Sequence, residues 1–315
     1  MEWERPVVRS PNTTARAEKP TPRRSRLRGI RLSGMDVFAY IVITVFAVAT
    51  IYPFLNVAAV SLTSHAAYIR HPWTIVPREI ETRGYKLVLT HPLVRTSYRN
   101  TVIITVAGSV LSMALTILTA YPLSRPSFKA KPFFVYMIIV TMLFSGGLIP
   151  NFYLVRSLGM YNTLWALIIP GSLSAFNIIL LVNFFKSIPA ELIDSARIDG
   201  ASELIILTRL VLPLSLAILA TLLIFYAVGR WNSFFSAVIY IRERNKWTMQ
   251  LLLREVVMEA TNALQSSANP AEIEYISPQN VRYAAIMITV LPIILVYPFL
   301  QRYYIKGVMV GAIKG

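Results

Sequence analysis

Residues 101–123 read TVIITVAGSVLSMALTILTAYPL, 23 positions without an acid or a base. A run of this length reaches the ~20 residues that a helix needs to cross the hydrocarbon of a bilayer. A helix that is apolar on every face lies either in a large core or in lipid. Five further runs meet the same criterion, at 37–62, 133–155, 164–185, 212–235 and 281–303. Composition agrees, since only 15% of the residues are charged against roughly 25% in ordinary soluble domains. The sequence therefore predicts an all-α membrane protein with six transmembrane helices. The net charge of +16 would point to nucleic acid in a soluble chain. Here the basic residues flank apolar runs, so they are read as topology and no nucleic-acid partner is expected. Cysteine is absent, which removes disulfides, thiolate catalysis and cysteine metal sites. His65, His71 and His91 lack metal-ligand spacing, so no metal site is expected.

Six spans put both termini on one side of the membrane. The first 34 residues carry nine Lys or Arg among Pro, Ser and Thr, with almost no apolar periodicity. They cannot bury enough surface to fold alone and are expected to form a disordered basic tail at 1–34, before a six-span domain at 35–315. Run 37–62 is longer than a signal-peptide core and is read as an anchor that stays. The loop SRPSFKAKP and the ending RYYIKGVMVGAIKG each carry three basic residues and no acid. These flanks and the tail are assigned to the cytoplasm. The longer segments 63–99 and 236–280 then face outward. The second balances four basic residues with five acids, whereas the first is itself basic, and long loops follow the rule less strictly.

Proline and glycine interrupt two spans. Pro170 and Gly171 fall early in the fourth, and Gly146, Gly147 and Pro150 toward the outer end of the third. Such residues let a membrane helix bend or open, and they also mark plain helix ends and packing sites. Gly108 and Ser112, four apart, allow close helix approach. The outer end of the fifth span reads FYAVGRWNSFF. Trp231 has the flat apolar face on which sugars stack, Asn232 hydrogen-bonds in two directions and Arg230 suits a carboxylate. An interfacial Trp and a snorkelling Arg need no substrate, so both readings stand. Tyr226 is grouped with these residues. Asn177 and Asn183 in the fourth span suit either a solute or a neighbouring helix.

Between spans four and five the chain turns polar. ELIDSARIDGASELIILTRLVLP holds four carboxylates and two arginines, and the topology places it in the cytoplasm. Ser187 is expected to cap a short helix whose first turn contains Pro189, Ala190 and Glu191, where proline and an acid suit free amides and the helix dipole. Leu192 and Ala196 share one face of it, and a helix this short needs a partner surface. Gly200 supplies the left-handed backbone that ends it. Ser202 and Glu203 restart a helix that runs to Pro213 and the fifth span. The product is a coupling hairpin at 187–213.

This spacing resembles the cytoplasmic loop of inner-membrane permease subunits of ATP-binding cassette importers, whose motif is E-A-A, three residues, G, nine residues, I, any residue, L, P. Asp194, Ser195 and Ala196 fall on E-A-A, Gly200 on the glycine, Leu210 on the isoleucine, and Leu212 and Pro213 on the closing pair. Asp, Ser and Leu replace Glu, Ala and Ile. The DGA at 199–201 is typical of sugar importers, and YPFLQRYYIKGVMVGAIKG is similar to the ending of the LplC-like oligosaccharide branch, associated with uronate-containing fragments. The resemblance covers residues 37–315. It implies a type I importer permease fold, a second six-span permease, two cytoplasmic ATPases that carry the ATP and Mg, an external substrate-binding protein, and a bacterial inner-membrane location. It also implies that Glu191, Asp194, Ser195, Ala196, Asp199, Gly200 and Ala201, with Leu210 and Pro213, couple to the ATPase. The cytoplasmic tail at 304–315 would reach between the ATPases, and segment 236–280, with the helical piece WTMQLLLREVVMEA, would receive the binding protein.

No G-x-x-x-x-G-K-[ST] loop occurs in the chain, so no cofactor of its own and no enzymatic activity are expected. An importer of peptides, a self-contained secondary transporter and a membrane enzyme are the competing readings. The DGA and the ending disfavour the first. The second usually shows inverted repeats and intramembrane ionisable residues, and the third clustered acids, bases or nucleophiles.

Overall fold

The computed structural model describes residues 33–266 and 278–312. The expectations for the tail, Ser33 and Gly34 excepted, and for residues 267–277 and 313–315 lie outside the described residues. Regular structure among the described residues is helical, with one isolated bridge between Thr63 and Ile80. In chain order the helices are α1 (Gly34–Val60), α2 (His65–Arg70), α3 (Arg83–Thr90), α4 (Val94–Ser124), α5 (Lys131–Leu143), α6 (Leu148–Ser157) and α7 (Trp165–Ile168). They continue with α8 (Ala175–Lys186), α9 (Ala190–Ile198), α10 (Glu203–Leu214), α11 (Leu216–Trp231), α12 (Phe235–Tyr240), α13 (Met249–Ser266) and α14 (Pro278–Ala312).

Two compact units divide the chain after Thr50. The described part of the first begins at a capping box. Ser33 Oγ accepts the Met35 N–H, and Asp36 Oδ2 accepts the Ser33 N–H at 2.8 Å, so two free amides at the helix start are satisfied. Val37, Phe38 and Ile41 are exposed along it, as expected of a helix solvated by lipid.

In the second unit α4 is central, packing against α8 and α11. Ser97, Thr101, Ser109, Ser112 and Thr116 are buried along it. Hydroxyls are tolerated in such a helix because they can bond to carbonyls one turn back, as Thr116 does to Ser112 O at 2.7 Å. One apolar cluster joins Ala120 and Leu123 of α4 to Leu181 and Phe185 of α8 and to Ile193, Ile206 and Val211 of the hairpin region. A second joins Ile104 to Leu167, Ala237 and Tyr240. A third packs Met249, Leu252 and Val256 of α13 against Val88, Val94 and Ala285. The piece 247–260 thus forms the expected helix, and its apolar face is covered by the bundle. Asn280, 1% exposed, ties the start of α14 to the ends of α1 and α3. Its Nδ2 donates to Ser61 O and Thr63 O at 2.9 and 3.2 Å, and its Oδ1 accepts the Gly84 N–H at 2.9 Å. A Cβ at Gly84 would lie 1.9 Å from that oxygen, so only glycine fits.

Among the described residues three helices are long and apolar enough to cross a membrane: α1, α4 and the Pro278–Val296 part of α14. Three further pairs of helices are apolar enough together but sharply bent. Pair α5 and α6 bends by 116°, α8 and α9 by 72°, and α10 and α11 by 83°. The run 133–155 is therefore not one straight helix. Gly147 takes φ +81° and ψ 174° at its break, a region essentially confined to glycine and costing other residues about 1–3 kcal/mol. The run 164–185 also divides, into α7 and α8, where Pro170 cannot donate and Gly171 takes φ +70°. In α10 the Leu212 N–H reaches Leu207 O, five residues back, within a π-helical segment Ile206–Val211. Pro213 has no N–H for the Arg209 carbonyl, and its ring crowds that turn, which accounts for a wide turn just before it. The last helix runs past 303 to Ala312, so the expected tail at 304–315 begins as a continuation of α14.

Candidate functional site

The hairpin forms much as its spacing predicts, with two corrections. Pro189, not Ser187, is the N-cap of α9. Ser187 instead ends α8, donating to Phe184 O at 2.8 Å, because a residue preceding Ile188–Pro189 is better placed to close a helix than to open one. The buried anchor of α9 is Ile193, 4% exposed, rather than Leu192, which is 45% exposed. Ile193 and Ala196 are three apart and share the face that meets Ile206, Leu207 and Val211, with Ala201 and Leu210 at its margin.

Gly200 takes φ +80° and ends the helix as expected. The Ala201 N–H reaches Ala196 O at 2.9 Å and the Gly200 N–H reaches Arg197 O at 3.0 Å, so terminal carbonyls are satisfied by the turn. Ser195 Oγ donates back to Glu191 O at 2.6 Å. The outer face of the hairpin carries Glu191, Asp194, Asp199 and the apolar Ile198, the last 87% exposed. Pro213 is exposed where α10 leaves the hairpin.

Sequence spacing did not single out the ion-pair network beneath this face. Arg197 Nη2 meets Glu203 Oε1 at 2.7 Å and Nε donates to the same oxygen at 3.0 Å, while Nη1 reaches Asp194 Oδ1 at 3.3 Å. The other oxygen of Glu203 accepts the Tyr121 hydroxyl of α4 at 2.6 Å. That hydroxyl, and then Arg197, hold the Glu203 carboxyl below the usual carboxylate range, and Glu203 in turn raises the Arg197 guanidinium. The one available signal was a carboxylate and an arginine six apart across a glycine turn. Tyr121, 82 residues from Glu203, gave none.

A cavity of roughly 460 Å³ lies where the fourth apolar run is broken. Pro170, Ser174 and Asn177 line it from that run, with Tyr226 and Arg230 from α11 and Ser236 from α12. It gathers three of the six residues named from sequence for a solute path: Asn177, Tyr226 and Arg230. Asn183 is exposed on α8. Trp231 is 9% exposed, donates Nε1 to Thr289 O at 3.2 Å and packs edge-on with Tyr98 at 5.7 Å between centroids, so its ring is occupied within the bundle. Asn232 ends α11 and accepts from Gln250 Nε2 at 3.2 Å.

Arg230 binds three elements. Its Nη1 donates to Leu167 O, and its Nη2 to Ser112 Oγ at 3.2 Å and Ser172 Oγ at 3.3 Å. The turn at Pro170–Gly171 takes the Gly171 N–H out of helical register with the Leu167 carbonyl, and Arg230 supplies a donor in its place. Gly108 makes room: a Cβ there would lie 3.0 Å from Arg230 Nε. The Gly108 and Ser112 pair read from sequence as helix packing thus receives a guanidinium. Tyr226 hydrogen-bonds through its hydroxyl with Thr116 Oγ1 of α4 at 2.7 Å. No group of side chains suited to a metal occurs among the described residues.

The chain is similar to known proteins over most of its length. A family model described as binding-protein-dependent transport system inner membrane component matches residues 112–310. The polygalacturonan/rhamnogalacturonan transport system permease protein YtcP of Bacillus subtilis (strain 168) is 36% identical over 286 residues, covering 89% of this chain and 98% of that protein. Protein LplC of the same organism is 40% identical over 271 residues, covering 84% and 90%. A chain in the crystal structure of a bacterial ABC transporter involved in the import of the acidic polysaccharide alginate superposes with a TM-score of 0.76 at 32% identity, over 86% of this chain and 96% of that one.

Proposed function

The chain belongs to the family of binding-protein-dependent transport system inner membrane components, and from that premise we propose that it is the permease subunit of an ATP-driven importer of oligosaccharides, acidic polygalacturonan-like fragments among them. The observation that carries this reading is that one stretch of chain, 165–236, contains both the walls of the polar cavity and the exposed docking hairpin. A force applied to the hairpin acts directly on the two broken spans that line the cavity.

In this reading α1, α4 and the Pro278–Val296 part of α14 give three spans and α5 with α6, α7 with α8, and α11 give three more, with both termini and the α9–α10 hairpin in the cytoplasm of a bacterium, and residues 1–34 form a cytoplasmic tail outside the 35–315 permease domain. A second six-span permease completes the translocation path, an external binding protein delivers the sugar to the outer segments, and two ATPases dock below. The chain itself binds no cofactor; ATP and Mg sit on the ATPases. Ile198 is the apolar plug of the docking face and Asp199 its free acid, since Asp194 already faces Arg197. Glu191, Ser195, Ala196, Gly200, Ala201, Leu210 and Pro213 shape the hairpin that presents them. ATP binding closes the ATPases, moves the hairpin and opens the cavity outward to accept sugar; hydrolysis resets it.

Asn177, Tyr226 and Arg230 are the sugar contacts in the cavity. The guanidinium presents its remaining edge to a uronate carboxylate, a charge-assisted contact of about 1.5–3 kcal/mol. The complex purified with its partners and loaded binding protein should hydrolyse ATP faster with oligogalacturonate than with sugar-free binding protein. Arg230→Gln should lower uronate transport about tenfold relative to a neutral oligosaccharide, the equivalent of 1.4 kcal/mol. Equal transport of uronate oligomers by Arg230→Gln and the parent would remove Arg230 from selection. Absence of stimulation by any oligosaccharide would remove the importer reading for sugars.

A further inference from the structure

Three polar side chains follow one another along the C-terminal half of α4, two holding the cavity and one the hairpin. Ser112 accepts Arg230 of the cavity at 3.2 Å. Thr116, one turn on and fully buried, hydrogen-bonds with Tyr226 of the cavity at 2.7 Å. Tyr121 donates to Glu203 of the hairpin at 2.6 Å. The first and the last are nine positions apart on one helix, about 13 Å at 1.5 Å per residue.

We propose that Ser112, Thr116 and Tyr121 make α4 a rod that moves with the docking hairpin and carries its position to the sugar-lining residues Tyr226 and Arg230. This rests on the importer reading above and adds a second route beside the covalent one. The covalent route runs from α9 to α8 through a bend of 72° and from α10 to α11 through one of 83°. Helix α4 runs continuously through the contacts, and the bond it lacks there is to the Leu118 carbonyl, for which Pro122 has no N–H. Its link to the hairpin is fixed at both ends. On the hairpin, Arg197 holds one oxygen of Glu203 by two nitrogens, leaving the other for Tyr121. Just past the end of α4, the Arg125 guanidinium lies 4.4 Å from the centre of the Tyr121 ring. Tyr121, Thr116, Arg197 and Glu203 are positioning residues in this scheme; they touch neither sugar nor nucleotide.

The test uses the whole complex and the absence of cysteine from the chain. Cysteines introduced at Val110 of α4 and Leu204 of α10, which are 61% and 67% exposed, carry spin labels. In the parent the distance between them should stay constant when ATP and vanadate are added, because hairpin and rod move together. In Tyr121→Phe, which loses only a hydroxyl, it should change, because the hairpin then moves alone. The rod is overturned by a distance that changes in the parent, by one that stays constant in both, or by a Tyr121→Phe complex that fails to assemble, which would make the hydroxyl a structural support only. These readouts require no sugar, so they stand apart from the fate of the importer reading. Where loaded binding protein does stimulate the parent ATPase, Thr116→Val and Tyr121→Phe should each cut the stimulated-to-basal ratio at least about threefold, and the double variant no further than the worse single, as expected of one unit. Independent, multiplying losses, or none, overturn the proposal.

Discussion

Replacing Ile193 by alanine should undock the α9–α10 hairpin from the bundle, whereas the same change at the adjacent Leu192 should not. Ile193 is 4% exposed and Leu192 45%. The Ile193 change deletes three carbons, about 2.4 kcal/mol at 0.8 kcal/mol per buried methylene. A residual cavity raises the total into the range of about 2–5 kcal/mol seen for such core truncations. At about 3 kcal/mol the ratio of docked to undocked hairpin falls by a factor of ~10², since 1.4 kcal/mol is tenfold. Helix α9 has nine residues and cannot hold itself together in water, where isolated helices below ~12–15 residues are marginal. Undocking therefore means unfolding. Amide hydrogen exchange of residues 190–201 in the full-length permease measures this directly, because protection there reports local opening. Protection should drop about a hundredfold in Ile193→Ala, and no more than about fivefold in Leu192→Ala, the equivalent of about 1 kcal/mol. Equal losses in the two variants, or a larger one at Leu192, would refute the assignment of the buried face.

Two further outcomes follow from the hairpin. Gly200→Val should impair ATPase co-purification while Gly200→Asn preserves it: no atom lies within 4 Å of a Cβ at Gly200, so the cost is the left-handed backbone, which asparagine tolerates and a β-branched residue does not. For pH, the depressed folded-state pKa of Glu203 means that its contribution is fully present above the ordinary glutamate value and is lost as pH falls through the lower, folded one. Protection of residues 190–201 should accordingly be flat from pH 6 to 8, apart from intrinsic exchange chemistry, and fall only below about pH 4.3, with Glu203→Gln removing that acid limb.

The apolar runs determined the membrane class, and the spacing around Gly200 determined the hairpin, because both rest on local rules: a span needs length and apolarity, and a left-handed turn needs glycine. The glycines and prolines at 146–150 and 170–171 marked the breaks for the same reason. Helical periodicity could group Leu192 with Ala196, or Ile193 with Ala196, with equal right; only the cluster of Ile206, Leu207 and Val211 decided which face is inside. The ends of the long-range contacts were likewise invisible. Arg230 reads in sequence as a cation near an interface, and Ser112 and Gly108 as a packing pair, yet they meet across 118 residues and, with Leu167 and Ser172, close a broken helix. Trp231 reads either as a sugar platform or as an interfacial anchor, and its ring packs on Tyr98 while its Nε1 donates to Thr289 O. Sequence determines what each side chain can do, since that is a property of its own atoms and near neighbours. Which capacity is used depends on the partner that packing brings to it from elsewhere in the chain, and that only the tertiary structure decides.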